Sequence, residues 1–109
     1  MRRVVIESPY AGALEANVTY ARECLFDSLH RGESPLASHL LYPQVLDDDI
    51  APERHLGISA GHAWISSAHA VVVYADRGIS NGMRIGIARA MAHGIPVEYR
   101  YLEAMAEAV

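Results

Sequence analysis

The chain has one cysteine, Cys24, so neither an internal disulfide nor a cysteine-based zinc cluster is available to it. No stretch reaches the roughly 18 apolar residues of a membrane span. Basic side chains are outnumbered, 9 against 13 acidic, and the net charge is −4 with histidines neutral. That balance excludes broad duplex binding, which leans on many Lys and Arg contacts to phosphate, but leaves room for a small anionic ligand. There is no Walker A loop, no G-x-G-x-x-G and no G-x-S-x-G elbow. His55 and His62 stand seven residues apart rather than at the i, i+4 spacing of a zinc helix. No metal site and no cofactor are therefore expected. Internal repeats, linkers and low-complexity segments are also missing. Met1-Arg2-Arg3 leads into an apolar run of only three residues, unlike a signal peptide. A single domain over residues 1–109, in the cytoplasm, is the resulting expectation.

What is present centres on Val71 to Gly94. Ala70 to Ala75 is a continuous, valine-rich apolar run and predicts a strand buried on both faces. A polar turn follows, Asp76-Arg77-Gly78-Ile79-Ser80-Asn81-Gly82, and then a helix over about Asn81 to His93, closed by Gly94. A strand, a glycine turn and a helix N-terminus together favour an anion through free N–H groups and the helix dipole.

The rest of the chain alternates in the same way. Arg3 to Glu7 predicts the first strand, ended by Pro9. Leu14 to Arg31 predicts a helix with Leu14, Val18, Ala21, Leu25 and Leu29 on its buried face. Pro35 to Leu41 reads as a weaker second strand, ending near His39. A loop carrying Asp47-Asp48-Asp49 precedes a helix over Glu53 to Ser66. Ile95 to Tyr101 predicts a last strand and Leu102 to Ala108 a short terminal helix. The order β-α-β-α-β-α-β-α predicts a parallel α/β sheet covered on both faces, with ligands beyond the carboxyl ends of its strands.

Two loops lie at that edge. In Glu7-Ser8-Pro9-Tyr10-Ala11-Gly12, a carboxylate beside an aromatic ring and a glycine suits a ribose held by its hydroxyls. In the later turn, Ser80 is a good N-cap whose hydroxyl also suits a ligand oxygen; the plainer role for Ser80 is the cap alone. His39 is expected at the same edge. Paired carboxylates across the loops would be Glu7 and Asp76.

The run Val4-Val5-Ile6-Glu7-Ser8-Pro9-Tyr10-Ala11-Gly12, followed by Asn17 and a helix, resembles the opening of the nucleoside 2-deoxyribosyltransferase-like superfamily, with its strand and Gly-Pro-aromatic turn. Ser38-His39 and the segment from Asp76 to Ala88 are similar to small phage and bacterial members of that group. The resemblance implies a flavodoxin-like three-layer sandwich. It also implies a pocket for nucleosides or nucleotides, and an enzyme that cleaves or exchanges an N-glycosidic bond. The family nucleophile is a glutamate in a segment like Asp-x-Gly-Thr-x-x-Glu-Ile-Gly-Tyr-Ala. The matching stretch here is Arg84-Ile85-Gly86-Ile87-Ala88, which puts Arg84 in the nucleophile position. A guanidinium cannot attack an anomeric carbon, but it can contact phosphate bidentately.

The expected function is therefore binding of a nucleotide or nucleotide-derived molecule without glycosyl transfer, with sequestration of a nucleotide signal as one use. Glu7 and Tyr10 would hold the sugar or base, and Ser80, Asn81 and Arg84 the phosphate. Ser8, Pro9, His39, Asp76, Gly78 and Gly82 complete the expected ligand-binding set. The alternatives are an N-glycosidase or deoxyribosyltransferase using Glu7 or Asp76, and an oligomeric scaffold with a vestigial pocket. The Met83-Ile87-Ala90-Met91 side of the helix suggests a homo-oligomer, a dimer or larger.

Overall fold

The computed structural model describes residues 1–103. Four strands form one parallel sheet: β1 (Arg2–Glu7), β2 (Glu33–Leu36), β3 (Ala70–Tyr74) and β4 (Val97–Arg100), in the order β2-β1-β3-β4. Helices α1 (Leu14–His30), α2 (Ser38–Leu41), α3 (Ala51–Ala63) and α4 (Asn81–Ala92) connect them, with 3₁₀ turns at Tyr42–Gln44 and Ile65–Ser67. This is a flavodoxin-like α/β sandwich.

The centre of the sheet follows from the valine run. Ala70, Val71, Val72, Val73 and Tyr74 are all 0% exposed, because β3 has strands on both edges and helices on both faces. Alternation divides the core. Val4, Ile6, Val72 and Tyr74 pack with Tyr20 and Cys24 of α1 on one face. Val5, Val71 and Val73 pack with Met83 and Ala90 of α4 and with Ile65 on the other.

Several elements depart from the sequence reading. The second strand is shorter and earlier than Pro35 to Leu41: it covers Glu33–Leu36, and Ser38–Leu41 is the helix α2. Pro35 is tolerated because β2 is an edge strand. His39 thus sits on a helical turn, not at a strand end. In α1 the fully buried side chains are Tyr20, Ala21, Cys24 and Ser28, while Leu14 and Leu29 are 48% and 53% exposed. The helix is rotated from its apolar count because the Tyr20 hydroxyl reaches Asp76 in the turn after β3 and the Ser28 hydroxyl reaches Glu33 on β2. In α4, Met83 and Ala90 are buried in the chain's own core, and Ile87 packs against them. Only Met91 of the side expected to self-associate is exposed. The third helix begins at Ala51 and ends at Ala63, and β4 spans only Val97–Arg100. Leu102 and Glu103 are helical; the remainder of the expected terminal helix lies outside the described residues.

A polar network joins the two edge strands. Glu33 of β2 is 5% exposed and takes a bidentate pair from Arg100 of β4, 8% exposed, at 2.8 and 2.7 Å. Ser28 Oγ donates to the same carboxylate at 2.8 Å. Arg100 also donates to the Tyr74 hydroxyl at 3.1 Å, which donates to Asp27 at 2.7 Å. Arg2 links Glu33 to Glu98. Hydrogen bonds from Arg100 hold the Glu33 carboxyl down at about 2, so it is an anion with both oxygens satisfied.

Candidate functional site

In a doubly wound sheet the crevice opens where consecutive connections leave in opposite directions. Here β1 connects outward to β2 and β3 connects outward to β4, so the reversal lies between the carboxyl ends of β1 and β3. The loops there are Ser8–Ala13 and Ala75–Ser80.

On the β1 side, Glu7 pairs in register with Val73, and its side chain points to the α4 face. The Glu7 carboxyl group packs onto the backbone of α4 at Gly86. A methyl group added at Gly86 would fall inside that carboxyl group; glycine is what admits it. Among the described residues the Glu7 carboxyl group has no hydrogen bond or ion pair. Burial alone pushes its carboxyl up to about 8, so it is un-ionised at neutral pH.

Ser8 points to the opposite side. It is 6% exposed, and its Oγ lies 2.7 Å from His39 Nε2 on α2. Burial lowers the His39 imidazole to about 4, so it is neutral. The Tyr10 ring meets His39 edge-on, with centroids 6.2 Å apart. Asn17 of α1 fixes this loop by donating to the carbonyls of Tyr10 and Ala11 at 3.0 and 3.1 Å. Pro9 is buried. The structure thus brings together Ser8, Tyr10 and His39, although His39 arrives on a helix.

On the β3 side, Gly78 takes φ +82° and closes a turn with its N–H 3.0 Å from Ala75 O; side chains rarely adopt that φ. Ser80 caps α4: its Oγ accepts from Met83 N at 3.3 Å. The hydroxyl keeps its hydrogen for another acceptor. Asn81, Gly82 and Arg84 are exposed at the start of α4; the N–H groups of Asn81 and Gly82 precede the helical ladder, which begins with Arg84 N donating to Ser80 O at 3.0 Å. The Arg84 guanidinium forms no ion pair among the described residues.

Asp76 behaves differently. Its carboxylate accepts from the Tyr20 hydroxyl at 2.6 Å and from the N–H groups of Leu102 and Glu103, both at 3.0 Å. Burial works against its charge, but these donors outweigh it and hold the carboxyl below its ordinary value. Asp76 fastens the β3–α4 turn to α1 and to the start of the helical residues after β4. Tyr20 and Gly86 are the residues the sequence reading did not single out. A glycine inside a helix was the visible sign of the second; nothing in the pattern marks the first.

A model of the domain of unknown function DUF7768 matches residues 2–100. The chain belongs to that family. No curated protein is similar in sequence. Among solved structures, this DUF7768 domain is similar to a 2-deoxyribosyltransferase from Bacillus psychrosaccharolyticus, with a TM-score of 0.66 at 15% identity. That match covers 91% of this chain and 72% of the other. It is also similar to a CMP N-glycosidase from Clostridium botulinum, with a TM-score of 0.57 at 14% identity, over 92% of this chain and 69% of that one. At these identities the likeness is one of fold. Among the described residues no helix is long and apolar enough to cross a membrane, and no three His, Cys, Asp or Glu side chains group as metal ligands.

Proposed function

We propose that this domain binds a nucleotide or nucleotide-derived small molecule in the crevice between β1 and β3 and performs no glycosyl transfer. One observation carries the reading. An unpartnered carboxyl group, Glu7, and the exposed first turn of α4 with Arg84 flank the same strand-order reversal. Ser80, Asn81, Gly82 and Arg84 would take the phosphate, with Gly78 shaping the turn. Glu7, Ser8, Tyr10 and His39 would take the nucleoside, with Pro9 and Asp76 holding the two loops in place. The likeness in fold to nucleoside-processing enzymes supports the ligand class.

The chemistry of the carboxyl groups supports binding without transfer. Attack on an anomeric carbon needs an ionised, unencumbered carboxylate. Arg84 cannot supply one, Asp76 is saturated with donors, and Glu7 is un-ionised below about pH 8. Holding a nucleotide intact suits sequestration of a nucleotide signal.

The alternative is an N-glycosidase in which Glu7 donates a proton to the departing base, and the raised Glu7 carboxyl favours it. Calorimetry with nucleosides, nucleoside monophosphates, NAD and ADP-ribose, followed by chromatography for free base, separates the two. Binding without release supports the binder; catalytic release of base establishes the enzyme. A homo-oligomer would have to use a surface other than the Met83–Ala90 side, and light scattering measures it.

A further inference from the structure

We propose that Glu7 reads the base of the ligand rather than its ribose, pairing with an edge that offers one donor beside one acceptor. This rests on the nucleotide-binding reading of the crevice and narrows it to a chemical class: nucleobases presenting a cyclic amide or amidine edge, with no requirement for a 2′-hydroxyl.

The argument starts from what surrounds the Glu7 carboxyl group. Its floor is the α4 backbone at Gly86. Among the described residues no charged or titratable side chain bonds to it, and the Tyr10 ring of its own loop meets His39 instead. His39 on α2 bonds to Ser8. Asp76 on the β3–α4 turn bonds to Tyr20 and two N–H groups, and Arg77 lies over the Tyr20 ring at 5.3 Å. Arg84 and Arg89 on α4 are exposed and form no ion pair with Glu7 among the described residues. A half-buried carboxyl group without a cation keeps its proton.

That proton fixes what the group recognises. A carboxylate offers only acceptors, which match the two hydroxyl donors of a ribose 2′,3′-diol or the paired donors of guanine N1 and N2. An un-ionised carboxyl group offers one donor and one acceptor side by side. It leaves one hydroxyl of a diol without an acceptor. It matches adenine N6–H with N7, or cytosine N4–H with N3, through two hydrogen bonds in a plane. Ser8 and His39 stand on the far side of the strand end, where they meet other parts of the ligand.

The test is calorimetry with CMP, dCMP, AMP and dAMP at pH 7 and pH 9. Cytosine and adenine keep their neutral form between these values, so the protein supplies the change. For the wild-type protein the affinity falls about tenfold from pH 7 to pH 9, as the un-ionised fraction falls, and each deoxy form binds like its ribo counterpart. In Glu7→Gln, whose amide carries a donor and an acceptor at every pH, the pH response disappears. Three results overturn the proposal: affinity that rises from pH 7 to pH 9, a ribo form bound an order of magnitude tighter than its deoxy form, or a pH response that survives in Glu7→Gln. The first two need no variant. If none of the four ligands binds the wild-type protein at either pH, the nucleotide reading of the crevice fails and this inference falls with it.

Discussion

Gly86 of α4 lies directly beneath the carboxyl group of Glu7, and the two cannot both stay in place if position 86 carries a side chain. Glu7 is the end of a flexible chain, so it is the partner that moves. Ala is also the better helix former, by roughly 1 kcal/mol. Gly86→Ala is therefore expected to leave a folded protein while pushing the Glu7 carboxyl out toward water and back to the ordinary carboxylate range. Carbon-detected NMR titration of the side-chain carboxyl reads this; an unchanged value near 8 would contradict the packing.

Glu7 and His39 give stability an uneven dependence on pH. The folded Glu7 carboxyl titrates at about 8 and an unfolded one near the ordinary glutamate value, so the folded state holds the extra proton between them. Stability falls as pH rises through that window, by at most about 1.4 kcal/mol per unit. The folded His39 titrates at about 4, below the unfolded value near 6.5, so the unfolded state holds the extra proton there, and stability rises with pH over that range. The two slopes oppose each other below pH 6.5, and Glu7 acts alone above it. Glu7→Gln is expected to raise the melting temperature at pH 8 and to change it little at pH 4, which thermal denaturation across a pH series measures.

Tyr20→Phe removes one hydroxyl from a junction of three segments. The Tyr20 OH donates to Asp76 Oδ1 at 2.6 Å and accepts from Asp76 N at 3.1 Å. Losing it leaves a partly buried carboxylate one donor short, at a cost of about 1–3 kcal/mol. Chemical denaturation is expected to show that loss. Amide exchange should quicken at Leu102 and Glu103, whose N–H groups bond to the same carboxylate.

Glu33 and Arg100 are nearly buried, and without the Arg100 fork the Glu33 carboxylate keeps only Arg2 and Ser28 as donors. Arg100→Met should destabilise the protein by about 3–5 kcal/mol, as expected when one partner of a buried pair is removed. Because the Glu33 carboxyl is held at about 2, the pair contributes fully above the ordinary glutamate value and is lost as pH falls toward 2. Acid unfolding of the wild type should therefore be steep below pH 4, and shallower in Arg100→Met.

The parts of the fold that were legible in the sequence are those governed by local chemistry. The five residues of β3 read as a buried strand because apolar side chains on consecutive positions need cover on both faces. The start of α4 read correctly from Ser80, whose capping bond is local. The second strand did not, because Leu36-Ala37-Ser38-His39-Leu40-Leu41 is a short apolar run that fits either period. Its helical end is decided by α3, where Gly61 lets Ser38 approach closely. The buried face of α1 was read correctly at Ala21 and Leu25 but not at Leu14 and Leu29, for a related reason. Tyr20 and Ser28 are drawn inward by Asp76 and Glu33, partners 56 and 5 residues away, and apolar periodicity does not register hydroxyl–carboxylate bonds. At the site, the sequence pointed to both loops but not to the inequality of their carboxyl groups. Glu7 and Asp76 look alike on paper; one is without a partner and the other has three donors, and only tertiary structure separates them.

The Glu33–Arg100 fork also sets a timetable. Its partners are separated by 67 residues. At about 5–20 residues per second, synthesis needs roughly 3–13 s to deliver the guanidinium after the carboxylate. Until β4 emerges, β2 carries an anion whose strongest donor does not yet exist, and β3 has an open edge. The nascent chain has little reason to settle early: the fourth strand to be made is the one that completes the second.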